Sequence, residues 1–191
     1  MNEVLQNIYS RRSVRAYEDK PVAEDDIMDI IKAGTQAPNG MNVQGLRFAV
    51  VTSRERMLRY STLAKELFVK TLRAGPQNER TEQMIKSLSN PEFDIFYGAP
   101  ALIVVFAHPK ALTPVEDGAL AAENMMLAAR SMGLGSCWIG FAKSLQASHE
   151  FLREVKAPTN HQLIAPLIFG YPREDGRPAP KEEPQVLSWI R

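Results

Sequence analysis

The segment Arg11-Arg12-Ser13-Val14-Arg15 places three guanidiniums and one hydroxyl within five residues. A guanidinium is planar and makes paired hydrogen bonds to phosphate oxygens, and serine adds a neutral donor. Taken alone, the cluster reads more readily as a solvated basic turn, because basic clusters are common. A second segment, Pro38-Asn39-Gly40-Met41-Asn42-Val43-Gln44, concentrates side-chain amides, each of which offers both a donor and an acceptor. Taken alone, it too reads as a turn-rich surface loop.

Other familiar catalytic sets are missing. The sequence holds no His-Glu-x-x-His, no Cys-x-x-Cys and no Gly-x-Ser-x-Gly. The three histidines, His108, His149 and His161, lack ligand partners at useful spacing, so they are expected on the surface or in loops and no metal site is expected. Gly133-Leu134-Gly135 is too short for a dinucleotide fingerprint. Cys137 is the single cysteine, which excludes an internal disulfide and fits a reducing compartment. No basic residue or histidine flanks it, so it reads as a packed small residue and not a nucleophile.

The elements that must position these residues follow from pattern. Val4, Leu5 and Ile8 recur at helical spacing, which predicts a short helix ending near Arg11. Ile27, Ile30 and Ile31 predict a second helix after Pro21, with Gly34 as its stop. Residues 35–45 read as a loop, 47–52 as a strand, and Ser53 as the cap of a helix carrying Met57, Leu58, Leu63 and Leu67. Residues 73–91 are polar and broken by Gly75-Pro76 and Asn90-Pro91, which predicts a mobile helical excursion. Ala101 to Phe106 is a continuous apolar run, as in a strand buried on both faces. Asp117 to Met132 is apolar nearly all round, so a helix there needs cover on most sides, and a second subunit is an expected cover. Strands are expected at 136–139 and 163–169, then an extended, proline-rich tail from Tyr171 that closes on Trp189.

At 191 residues, 45% hydrophobic and 24% charged, the chain has the size and composition of one globular domain spanning 1–191. A net charge of +1 gives no general case for nucleic acid or an anionic membrane. The longest apolar run, Ala99 to Ala107, would cross less than half a bilayer. The first residues lack the basic start and apolar block of a signal peptide, so a cytoplasmic location is expected.

Order along the chain turns weak local signals into a strong joint one. Arg-Arg-Ser-x-Arg comes first and Ala37-Pro-Asn-Gly-x-Asn-x-Gln44 about one helix later. Tyr97-Gly-Ala-Pro-Ala-Leu-Ile-Val-Val105, Gly133-Leu-Gly-Ser-Cys-Trp-Ile-Gly140 and Phe169-Gly-Tyr-Pro172 follow, the last leading into a basic, proline-rich tail. Together they resemble the FMN-dependent nitroreductase family over nearly the whole chain. The resemblance implies an α+β, three-layer α/β/α fold with a mostly antiparallel central sheet, in an intertwined homodimer that shares two FMN sites. A flavin suits these residues, since its pyrimidine edge both donates and accepts and its ribityl chain carries hydroxyls.

Carried over, Arg11, Arg12 and Ser13 would hold the FMN phosphate and nearby ribityl oxygens. Lys181 or Arg177 would add a cation from the tail. Arg15 would lie by the N1/C2-carbonyl side of the ring, where a fixed cation favours the reduced form. Pro38, Asn39, Gly40, Asn42 and Gln44 would reach across from the partner subunit. Trp138, Ile139 and Gly140 would run along the ring, with a backbone N–H near Gly140 facing N5, an approach glycine permits. Many members have Gln-Pro-Trp where this chain has Gln44-Gly45-Leu46, and residues 61–91 match nothing in the family pattern.

The activity implied is NAD(P)H-driven, ping-pong reduction of nitroaromatics, quinones or similar small acceptors, with NADH or NADPH as donor and no side chain required as acid or base. Reductive dehalogenation, enone reduction and flavin breakdown are alternatives on the same fold. Non-enzymatic FMN binding or storage is a further one.

Overall fold

Helix starts are set by local chemistry. Asn2 accepts from the Leu5 N–H at the head of α1 (Glu3–Ser10), and Ser53 accepts from Arg56 at the head of α3 (Arg54–Ala74). Asn78 and Ser148 do the same for α4 (Glu79–Leu88) and α6 (His149–Glu154). Each such cap is worth about 1 kcal/mol. Helix α5 (Pro114–Ser131) begins three residues before the position its apolar pattern suggests, because Pro114 sits in its first turn, where a missing N–H costs nothing. The computed structural model describes residues 1–174, 176 and 180–191.

Among the described residues four strands, β1 (Leu46–Val51), β2 (Ala101–Ala107), β3 (Gly135–Trp138) and β4 (Gln162–Gly170), form one sheet in the order β1-β2-β4-β3. All three ladders are antiparallel. Every residue of β2 is buried, as its unbroken apolar run implies. Leu102, Val104 and Phe106 face a core with α3, α4, α6 and a 3-10 segment, Gly140–Ala147. Ala101, Ile103, Val105 and Ala107 face the opposite core, under α5 and α2 (Glu24–Thr35). The sheet is therefore the middle layer of an α/β/α stack, as expected.

Some local expectations change. Gly34 lies inside α2, which ends at Thr35; a Cβ on it would stand 2.8 Å from Met125 Cγ. The glycine permits close packing of α2 on α5 and does not end the helix. The polar stretch after residue 73 carries a helix, as expected: α4 folds back onto α3, with Leu88 buried. His161 lies in the loop just before β4, as expected, and is buried there. Among the described residues, no helix is long and apolar enough to cross a membrane.

Candidate active site

The basic segment leaves α1 and is sewn to the sheet at several points. Val14 N–H donates to Ser136 O at 3.0 Å, and Ser13 pairs with Ser136 as a single parallel bridge beside β3. Tyr17 pairs with Pro172, its hydroxyl donates to Val14 O at 2.8 Å, and Arg173 N–H donates to Ala16 O. Gly135 makes the first contact possible: a Cβ there would lie 2.7 Å from Val14 Cγ2. Residues 13–17 thus hold a fixed extended path against β3 and the end of β4.

A cleft of about 1020 Å3 opens along that path. Arg11, Arg12, Ser13, Arg15 and Lys181 line it, with Glu123 and Glu174. A smaller hollow of about 230 Å3 adjoins it, lined in part by Ser10, Arg11, Arg12 and Ser136. Four cations against two carboxylates give the cleft a positive field, and the hydroxyl supplies a neutral donor. This donor set suits a phosphate group. Arg11 Nε sits 3.2 Å from Glu123 Oε1, which anchors it to α5. Arg12 donates to the carbonyls of Tyr9 and Arg11, both at 2.6 Å, and so closes the end of α1. Arg177 falls outside the described residues; Lys181 is the tail cation seen on the cleft wall.

Arg15 faces a different environment. Its guanidinium carbon is 6.0 Å from the centre of the Tyr97 ring, and Cys137 and Tyr17 are close by. Burial pushes the Tyr97 hydroxyl up, while the Arg15 charge opposes that shift. Burial likewise raises the Cys137 thiol, with Arg15 and Ser13 pulling the other way. The net rise keeps Cys137 a protonated, packed thiol, as its flanking sequence implies. Tyr97 was not singled out as a site residue from the sequence; it lies inside one of the motifs, but nothing local marks it as the neighbour of Arg15.

Trp138, Ile139 and Gly140 carry the chain beyond the Ser13–Ser136 contact. Ile139 is buried and tied to Pro166 O at 2.9 Å, whereas Gly140 is exposed and open space surrounds its Cα. These three are not on the wall of the cationic cleft.

The amide-rich loop is elsewhere. Asn39 Oδ1 accepts from Gln44 N–H at 2.9 Å, and Gly40 N–H donates to Asp117 Oδ1 at 3.1 Å. None of Pro38, Asn39, Gly40, Asn42 and Gln44 lines the cleft. The loop is fastened at Asp117 of α5, whereas α1 is fastened at Leu127 and Arg130. At about 1.5 Å of rise per residue, those attachment points are roughly 15–20 Å apart. Pro38, Asn42 and Gln44 are exposed, and Met41, Asn42 and Gln44 all have left-handed backbone, with φ of 55°, 53° and 53°. For non-glycine residues that costs about 1–2 kcal/mol each.

A layered α/β/α stack on an antiparallel sheet thus sets a cationic cleft suited to a phosphate beside its edge strand. The chain belongs to the nitroreductase family, whose model matches residues 8–171. A protein of Archaeoglobus fulgidus provisionally named NADH dehydrogenase/NAD(P)H nitroreductase is 32% identical over 180 residues, covering 92% of this chain and 88% of that one. The FMN reductase [NAD(P)H] of Bacillus subtilis is 26% identical over 187 residues, covering 95% of this chain and 70% of that one. The crystal structure of a nitroreductase with bound FMN from Bacteroides fragilis superposes with a TM-score of 0.84 at 30% identity, covering 100% of this chain and 99% of that one.

Proposed function

We propose that the protein is an FMN-dependent oxidoreductase that uses NADH or NADPH to reduce small organic acceptors such as nitroaromatics or quinones, and that it works as a homodimer. The observation that carries this reading is the shared cleft: Arg11, Arg12, Ser13, Arg15 and Lys181, drawn from the two ends of a nitroreductase-family chain, line one wall. When bound, FMN supplies two-electron exchange between NAD(P)H and the acceptor.

The residues supply position and field. Arg11, Arg12, Ser13 and Lys181 hold the phosphate, each well-formed charged contact being worth about 1.5–3 kcal/mol. Arg15 sets a fixed positive charge beside the N1/C2-carbonyl side of the ring, where reduction places negative charge. Trp138, Ile139 and Gly140 border the ring, and the open space around Gly140 leaves its backbone approachable. Pro38, Asn39, Gly40, Asn42 and Gln44 complete the site from the partner subunit. Donor and acceptor take the same place in turn, a ping-pong order that needs no acid–base pair.

Dimerisation draws support from the surface. Val4 is 67% exposed, Leu187 99% and Ile190 93%, so both ends of the chain present apolar side chains with no cover in the protomer. Trp189, expected to be where the tail closes, is also exposed. The 1–191 chain acts as one domain, and its expected location is the cytoplasm.

Anaerobic addition of NADH or NADPH to FMN-loaded protein tests the reading. Rapid bleaching of the flavin, and recovery of colour on adding a nitroaromatic or quinone, is the expected result. Recovery only with a halogenated phenol or an enone would move the reaction class. Bleaching by neither donor would leave a binding or storage role. Protein that takes up no FMN would end the proposal.

A further inference from the structure

The loop that carries Asn39, Asn42 and Gln44 holds an unfavourable backbone while exposed. Three non-glycine residues with left-handed φ persist only where the surroundings over-determine the conformation. The loop's own bonds, Asn39 Oδ1 to Gln44 N–H and the weaker Gln44 Nε2 to Asn42 Oδ1 at 3.4 Å, tie it to itself and not to the body of the protein. Arg47 of β1 donates to Gln44 O at 3.2 Å at the end of the loop, and Asp117 holds its head at Gly40.

Asp117 is 3% exposed and lies in the first turn of α5, where the helix dipole favours a carboxylate. One oxygen, Oδ1, takes two donors: Gly40 N–H at 3.1 Å and Thr113 Oγ1 at 2.8 Å. The Thr113 hydroxyl sits where a Cβ on residue 40 would fall, only 2.7 Å away, so glycine, threonine and aspartate form one close-fitting seat. From sequence, Asp117 reads only as the polar start of an apolar helix.

We infer that Asp117 is a positioning residue for the shared cofactor site: it does not touch FMN, but it seats the backbone of residue 40 and so sets where Asn39, Asn42 and Gln44 present their amides to the partner's cleft. This role rests on the reading that residues 38–44 meet FMN in a dimer. What the seat requires is an acceptor oxygen at Oδ1 and not the charge itself, which separates it from a plain helix-terminus effect.

The test compares Asp117→Asn with Asp117→Ala in the full-length, FMN-loaded protein. Three readouts are taken: FMN dissociation constant by fluorescence titration, the visible flavin spectrum, and oligomeric state by sedimentation. Asparagine keeps an acceptor oxygen and should stay within about threefold of wild type with an unaltered spectrum. Alanine removes it and should weaken FMN binding about tenfold with a displaced flavin band, while the dimer persists. Equal losses in both variants would assign Asp117 to helix-terminus charge and overturn the inference. So would an alanine variant with wild-type affinity and spectrum. If alanine does not fold, Gly40→Ala attacks the same seat with Asp117 intact and should give the same loss; wild-type affinity in it would overturn the inference. Wild-type protein that binds no FMN would fail the functional reading instead, so the two failures are distinguishable.

Discussion

The two halves of the candidate site are built in opposite ways. Residues 11–15 are embedded: they pair with β3, line a cleft and carry their charges on an extended path held by several backbone bonds. Residues 38–44 are perched: they are largely exposed, locally strained and fastened to the body at few points, through Asp117 at Gly40 N–H and through Arg47 of β1 at Gln44 O. The first half has a ligand's space in front of it within a single protomer. The second faces no cleft of its own protomer, and its side-chain amides bond chiefly to one another. A strained, rigid and exposed loop is costly unless something is bound against it, and the cleft of a second copy is the surface that would make use of it.

The largest expected effect comes from emptying the embedded half. Arg11→Ala with Arg12→Ala removes two charged contacts worth about 1.5–3 kcal/mol each. At 1.4 kcal/mol per factor of ten, FMN affinity should fall on the order of a hundredfold to ten-thousandfold. Equilibrium dialysis measures it. A loss under tenfold would mean that the phosphate is held elsewhere, and the contrast between the halves would collapse.

The sharpest expected effect comes from separating the halves. A heterodimer that combines one Arg12→Ala chain with one Asn42→Ala chain holds one site with both substitutions and one with neither, if the site is shared. It should then bind FMN tightly at half the wild-type stoichiometry, although each homodimer binds weakly. Were each protomer to build its own site, both sites would carry one substitution and no tight site would appear. Tandem-tagged purification followed by flavin quantitation distinguishes the two.

A more modest effect is expected behind the embedded half. Gly135→Ala drives a methyl group to 2.7 Å from Val14 Cγ2, and overpacking of this kind costs about 1–3 kcal/mol. Thermal unfolding should show the loss, and FMN affinity should fall with it, because Val14 lies between Ser13 and Arg15. Adding Val14→Ala should restore part of both. Failure of that rescue would mean that Gly135 serves something other than the approach of residues 13–15.

Legibility followed the same division. Strand β2 could be read directly, because a run apolar on both faces has few other uses, whereas the layered fold was legible through the family resemblance. The chemistry of Arg11, Arg12 and Ser13 was visible in residue type, but Lys181 came to them only through the family resemblance, since it lies 168 positions after Ser13 and no local pattern brings the two to one cleft. Gly34 misled because glycine ends helices and also lets helices approach, and only Met125 in three dimensions tells the two apart. Asp117 was invisible as a seat because its partner, Gly40, offers only a backbone N–H, and backbone donors have no letter in a sequence. The tilt of Arg15 toward Tyr97 was hidden for the same reason of distance.

The smallest expected effect lies away from both halves and tests whether the contrast is specific to the site. Glu154, at the end of α6, accepts from the Tyr60 hydroxyl at 2.5 Å and from Arg59, both on α3. These contacts, Tyr60 first and Arg59 next, hold its carboxyl below its ordinary value of 4.5. A lowered folded-state value means that the stabilisation is fully present above the ordinary carboxylate range and is lost as pH falls through the lowered value. Because the pair is solvent-exposed, its contribution is small and salt-sensitive. Glu154→Gln should therefore narrow the difference in Tm between pH 7 and strongly acidic buffer, and added salt should narrow that difference in wild type as well. FMN affinity should stay the same, since none of Arg59, Tyr60 and Glu154 lines the cationic cleft. A change in FMN affinity in this variant as large as that from Gly135→Ala would show that binding tracks overall stability, and the distinction between an embedded and a perched half would lose its meaning.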